Sequence, residues 1–145
     1  MEHEGRLFLS GRCLDRNIIY QAKVTNLADN SVETYIGLTA TSFKERFNNH
    51  NMSLRDRNKC QTALSRCIWD MKDAGKNFAV TYCILERGEP YSPKYRSCGL
   101  CIKEKTLIIT KPQLGTLNKR TELTSKCLHM DKYLLSRLKW ICIVL

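Results

Sequence analysis

Two stretches of alternating side chains, separated by a five-residue turn, constrain this chain more than any other feature. Residues 17–25 place Ile18, Tyr20, Ala22 and Val24 at every second position, the period of a strand that buries one face. Leu27-Ala28-Asp29-Asn30-Ser31 supplies turn chemistry, and residues 32–38 return as a second strand, so an antiparallel hairpin is expected. Ser42-Phe43-Lys44-Glu45 follows as a capping box, the serine bonding the free amides of a helix start and the glutamate reaching back. The helix that begins there carries Phe43, Arg46, Phe47 and His50.

Downstream the periods alternate again. Residues 55–59 are polar and basic and read as a loop. Within 61–74, Leu64, Cys67, Ile68 and Met71 recur at helical spacing, and Gly75 suits the helix end. Phe78, Val80, Tyr82 and Ile84 mark a third strand over 77–86, and residues 88–96, with Pro90 and Pro93, read as a loop. Residues 100–110 are apolar at 102, 107, 108 and 109 around Glu104, which predicts a helix that Pro112 stops. No internal repeat or low-complexity tract interrupts this order. The expected fold is a small α+β domain, β-β-α-α-β-α, with a sheet of about three antiparallel strands flanked by helices.

A chain of 145 residues is one domain's worth. Its 24 Lys+Arg against 14 Asp+Glu give a formal charge of +10, which favours a polyanionic partner, since each cation placed on a phosphate releases condensed counterions. A merely soluble basic protein, or one drawn to acidic lipid, shares that charge. No apolar run is long enough to span a bilayer, no signal peptide is expected, and the apolar end at 140–145 is too short to anchor. Eight cysteines suggest a disulfide framework only in a secreted chain. Cys67 on a helix face and Cys83 inside a strand are instead expected to be small buried hydrophobes, and a reducing, intracellular compartment follows.

The chemistry concentrates near the hairpin. Tyr35-Ile36-Gly37 ends the second strand, and Arg46 and His50 stand one helical turn apart on the next element. Phosphodiester cleavage needs a phenol or imidazole to manage protons and a guanidinium to hold the phosphate. Taken singly, Arg46 and His50 describe a solvated basic face, and Tyr20 and Tyr35 are ordinary strand residues. Their combination, in one order on these elements, is the informative signal.

With Ile18-Ile19-Tyr20 upstream, the pattern resembles the GIY-YIG nuclease family. Tyr35-Ile36-Gly37-Leu38-Thr39, Phe43-Lys44-Glu45-Arg46-Phe47, Ile68-Trp69-Asp70, Leu117-Asn118-Lys119-Arg120 and Ser125-Lys126-Cys127 together resemble the endonuclease domain of Penelope-like retroelements, over residues 11–135. The resemblance implies a GIY-YIG-like domain at 14–120, an N-terminal remnant segment at 1–13 and a C-terminal extension at 121–145. It implies a metal-dependent DNA endonuclease that nicks one strand, with Glu104 holding Mg²⁺ or Mn²⁺. It also implies a nuclear location, and a preceding reverse transcriptase domain in intact relatives that this chain lacks. Tyr35, or a water activated by the metal, then stands near the attack step, and Tyr20 positions or deprotonates the nucleophile. Arg46 contacts the scissile phosphate, His50 accepts a proton or orients, and Asn118, fourteen residues after Glu104, orients the phosphate or nucleophile. Which group is the base stays open. Isoleucine replaces the first motif's glycine at Ile18, Leu7 stands where a partner cysteine is expected beside Cys13, and residues 136–145 are unlike the family; a severed or degraded copy has this form.

Cys98-Gly99-Leu100-Cys101 has the spacing with which two thiolates grip one Zn²⁺. Cys127 and His129 complete a candidate structural zinc set, with Cys13 as a competitor and redox use as an alternative. Lys44, Arg55, Arg57, Lys59, Lys72, Lys119 and Arg120 are candidates for holding a nucleic-acid backbone. Two functions therefore compete: the endonuclease, and a catalytically inactive, zinc-containing nucleic-acid-binding module.

Overall fold

The structure, a computed structural model, describes residues 6–7, 11–95 and 97–119. Three long strands form the body of its sheet: β2 (Ile18–Asn26), β3 (Val32–Thr39) and β4 (Phe78–Arg87), with a two-residue strand β1 (Arg6–Leu7) on one edge. The strand order is β1-β4-β2-β3. β2 pairs antiparallel with β3, as the hairpin pattern predicts, and also with β4, so it is central, whereas β1 runs parallel to β4, opposite Thr81 and Tyr82. That short parallel pairing was not expected from the N-terminal segment, because two residues carry no period; backbone groups on the β4 edge recruit it.

The hairpin turn is built from side chains bonded to their own backbone. Asn26 Oδ1 accepts from the Ala28 amide, Asp29 Oδ1 accepts from the Ser31 amide, and Asn30 takes a left-handed φ of 58°. Three helices complete the domain, α1 (Phe43–Arg55), α2 (Ala63–Asp73) and α3 (Gly99–Thr110), together with short 3₁₀ turns at Arg57–Lys59 and Pro112–Leu114. Ser42 caps α1 by accepting from the Glu45 amide at 3.3 Å, but Glu45 is exposed, and the return bond of a capping box is absent there among the described residues. The reciprocal box forms one helix later, between Thr62 and Ser65, where no glutamate advertises it. Gly75, with φ 64°, ends α2 as expected. The segment 88–96, expected as a loop, contributes a two-residue strand β5 (Tyr91–Ser92) that pairs with β6 (Ser97–Cys98).

Each sheet face has its own core. On one, Ile18, Tyr20, Ala22, Val24, Phe78, Val80 and Tyr82 pack against Phe43 of α1 and Leu64 and Ile68 of α2. On the other, Ile19 and Ile36 pack against Leu100, Cys101, Leu107 and Ile108 of α3. Each of these large side chains contributes about 1.5–3 kcal/mol by leaving water. The second core covers only part of its face. Cys83, expected to be buried, lies beyond it and is exposed, its Sγ 3.8 Å from Gln21 Oε1. No helix among the described residues is long and apolar enough to cross a membrane.

Candidate active site

Tyr20 and Gly37 face each other across β2 and β3. A Cβ on Gly37 would collide with Oη and Cζ of Tyr20, so the glycine of Tyr35-Ile36-Gly37 is the gap into which the Tyr20 ring fits. On the β4 side, the pairing of β2 slips by one residue between Ile19 and Tyr20, a bulge beside the same ring. Helix α1 crosses above and delivers Arg46 and His50 from one face. Arg46 Nε donates to Tyr20 Oη at 3.0 Å, and Tyr20 Oη lies 2.6 Å from His50 Nε2.

The proton positions in this chain of bonds follow from burial. His50 is 2% exposed, and burial, then the Arg46 charge, lowers its pKa from 6.5 to about 3, so the ring is neutral. Burial raises the Tyr20 phenol far above its ordinary value, and Arg46 offsets only part of this. Arginine can only donate. Tyr20 therefore accepts from Arg46 and gives its own proton to His50 Nε2, which leaves the imidazole proton on Nδ1. Phe43, at 5.3 Å between ring centroids, and Tyr82, at 6.4 Å, wall the group from solvent. The Tyr82 hydroxyl is itself buried and has no hydrogen-bond partner among the described residues.

Tyr35 joins this sealed pocket to an open one. Opposite Ala22, it shares the sheet face of Tyr20, its ring stands edge-on to His50 at 6.3 Å, and its phenol reaches the Arg46 guanidinium. The same tyrosine lines a cleft of about 260 Å³ together with Gln61, Thr62, Ala63 and Arg66 of the α2 start, Glu104 of α3, and Leu117, Asn118 and Lys119. Glu104 is there because it sits on the buried stripe of α3, in step with Leu100, Cys101, Leu107 and Ile108. A glutamate on such a stripe is 9% exposed, and Lys105 Nζ, 3.3 Å from its Oε2, balances its charge.

Asn118 does something the sequence did not suggest. Its Oδ1 accepts from the Ile36 amide at 2.7 Å, and its Nδ2 donates to the Ile36 carbonyl at 2.9 Å. The side chain thus imitates a neighbouring strand at the β3 edge, between Tyr35 and Gly37. Leu117 adds a backbone bond to Thr34, and Gly115 leaves the space, since a Cβ there would come within 2.6 Å of Asn118 Oδ1. In this position the amide holds β3 in place.

Of the expected site residues, Tyr20, Arg46 and His50 meet in the sealed pocket, Glu104 and Asn118 meet in the cleft, and Tyr35 touches both. Among the expected backbone contacts, Lys44, Arg55, Lys59 and Lys119 are exposed. Arg57 is occupied elsewhere: two of its nitrogens bind Asp73 at 3.0 and 2.6 Å, and with Lys72 it covers the Trp69 ring. Lys72 also donates to the Leu54 carbonyl. Arg120 lies outside the described residues. The zinc proposal divides in the same way. Cys98 and Cys101 are 1% and 5% exposed within the apolar core beneath α3, while Cys127 and His129 lie outside the described residues. Among the described residues no three or more His, Cys, Asp or Glu side chains gather as a metal cluster.

Sequence reasoning missed Gln61, Thr62 and Arg66 as cleft residues. A threonine cap with an arginine one turn later was the available signal, and only the packing of α2 on its sheet face brings it to the cleft of Glu104. Comparison with protein-family models, with curated proteins and with solved structures returned no match.

Proposed function

We propose that this chain is a metal-dependent DNA endonuclease that hydrolyses phosphodiester bonds by nicking, of the kind found in GIY-YIG domains of Penelope-like retroelements. One observation carries the proposal: Tyr20 Oη lies within hydrogen-bond distance of both Arg46 and His50, and Tyr35 continues that network into the cleft that holds Glu104. The net charge of +10 supports a polyanionic substrate.

The donor set of the cleft fits a hard divalent ion. Mg²⁺ is commonly held by one or two carboxylates and keeps several waters, and Glu104 is one buried carboxylate in a polar cleft with room for waters. Bound there, Mg²⁺ or Mn²⁺ would neutralise charge that develops on the phosphate.

The chain's own residues divide the remaining tasks. Water attacks phosphorus, the bond to the 3′ oxygen breaks, and the products are a 3′-hydroxyl and a 5′-phosphate; the water loses one proton and the 3′ oxygen gains one. Tyr35 is the phenol that reaches the cleft and so can orient the attacking water. Tyr20 and His50, at 0% and 2% exposure, act on Arg46 and Tyr35 and do not meet substrate. With Nε spent on Tyr20, Arg46 keeps its terminal nitrogens for Tyr35 and for the phosphate.

A supercoiled plasmid incubated with Mg²⁺ or Mn²⁺ tests the proposal. Nicking should fall at least a hundredfold in Arg46→Ala and in Glu104→Gln, the scale on which single electrostatic groups contribute to such steps. A parent protein that binds DNA but nicks none would sink the enzyme and leave the non-catalytic binding module.

A further inference from the structure

We infer that the Arg66 wall of the cleft is a phosphate subsite, holding the DNA backbone phosphate next to the one that is cut. The identity of the substrate rests on the endonuclease proposed above; the anion site itself rests on the cleft. Several other arginines are committed to partners within the fold. Arg12 and Arg87 share Asp15, both at 2.8 Å, Arg57 is clamped on Asp73, and Arg46 donates to Tyr20. Arg66, like Arg16 and Arg55, is exposed and forms no ion pair among the described residues, and it is the arginine among them that lines the same cleft as Tyr35 and Glu104. Lys119 lines it too, and Glu104 is the single acid on that wall.

Charge and shape then specify the ligand. Arg66 and Lys119 bring two positive charges, Glu104 brings one negative charge, and Lys105 already lies 3.3 Å from that carboxylate. The wall is therefore short of negative charge, and a phosphodiester supplies one. A guanidinium fork matches two phosphate oxygens, and the Gln61 amide beside it adds a neutral donor. The volume of about 260 Å³ leaves room for a phosphate with its waters.

The test is binding of short duplex DNA in Ca²⁺ across a salt series, which needs no cleavage. Arg66→Gln should weaken binding about tenfold at low salt and flatten the dependence of log affinity on log salt by about 0.9, the release expected from one phosphate contact. Arg66→Lys should keep the slope and lose part of the affinity. Lys94→Gln, the same loss of charge at the β5–β6 turn, should change neither. An unchanged slope in Arg66→Gln, or an equal change in Lys94→Gln, overturns the subsite. A full effect of Arg66→Gln with no nicking by the parent upholds the subsite and defeats the endonuclease instead.

Discussion

The sealed pocket under α1 and the open cleft at the β3 edge share Tyr35 and little else. In the pocket, Tyr20 is fully buried, Arg46 and His50 point at its single hydroxyl, and aromatic rings close the space. In the cleft, the lining residues come from β3, α2, α3 and the strip 117–119, several of them exposed. Burial gives the pocket fixed protonation states and a fixed geometry. Exposure gives the cleft access to solvent, which the proposed metal ion and nucleic-acid backbone would both require. A phenol in each region is therefore not a duplication: Tyr20 is enclosed, Tyr35 reaches the open cleft, and on the proposed function the first orients while the second meets the ligand.

The sharpest way to break this contrast is at Gly37. Gly37→Ala puts a methyl group into the Tyr20 hydroxyl, and overpacking of this kind should cost about 3 kcal/mol of stability in chemical denaturation. A loss under about 1 kcal/mol would show that the Tyr20 ring is not held where the pocket requires it.

Acid gives the next largest effect. The folded pKa of His50, about 3, lies below its unfolded value of 6.5, so its contribution is complete above pH 6.5 and is lost progressively as pH falls toward 3. Between pH 7 and pH 5 the parent should lose about 2 kcal/mol more than His50→Gln does, measured by urea unfolding at both pH values. Parallel losses in the two proteins would place the imidazole in contact with solvent.

Three tyrosine-to-phenylalanine changes rank below these and separate the regions. Tyr20→Phe removes two hydrogen bonds and strands His50 Nε2, so it should cost about 1–2 kcal/mol. Tyr35→Phe should shift stability by less than about 0.5 kcal/mol while lowering nicking severely, as befits a group facing the cleft. Tyr82→Phe discards a buried hydroxyl that has no partner, and stability should stay level or rise by up to about 1 kcal/mol. If Tyr20 and Tyr35 respond alike in both stability and nicking, the division of labour fails.

Much of the scaffold is legible in the amino-acid sequence. Alternation at Ile18, Tyr20, Ala22 and Val24, turn residues at 27–31, and the Ser42 cap are local signals, and β2, β3 and α1 formed where they pointed. Arg46 and His50 on one helix face follow from 3.6 residues per turn alone. The position of Glu104 on the α3 stripe was also visible, as an acid among apolar neighbours. Local pattern says nothing about what faces what across distant segments. Hence β1, the pair β5 and β6, the exposure of Cys83 and the engagement of Arg57 by Asp73 all escaped it.

The amino-acid order by itself determined that a hairpin precedes a helix and that a tyrosine, an arginine and a histidine share that neighbourhood, because propensity and periodicity act within a few residues. Only the tertiary packing decided that Tyr20 is enclosed and Tyr35 is not. Only packing turned Asn118 onto the backbone of Ile36 and brought Arg66 to the cleft of Glu104. Those outcomes depend on which faces exclude water once α2 and α3 close on opposite sides of one sheet, a property of the assembled layers that no single segment carries.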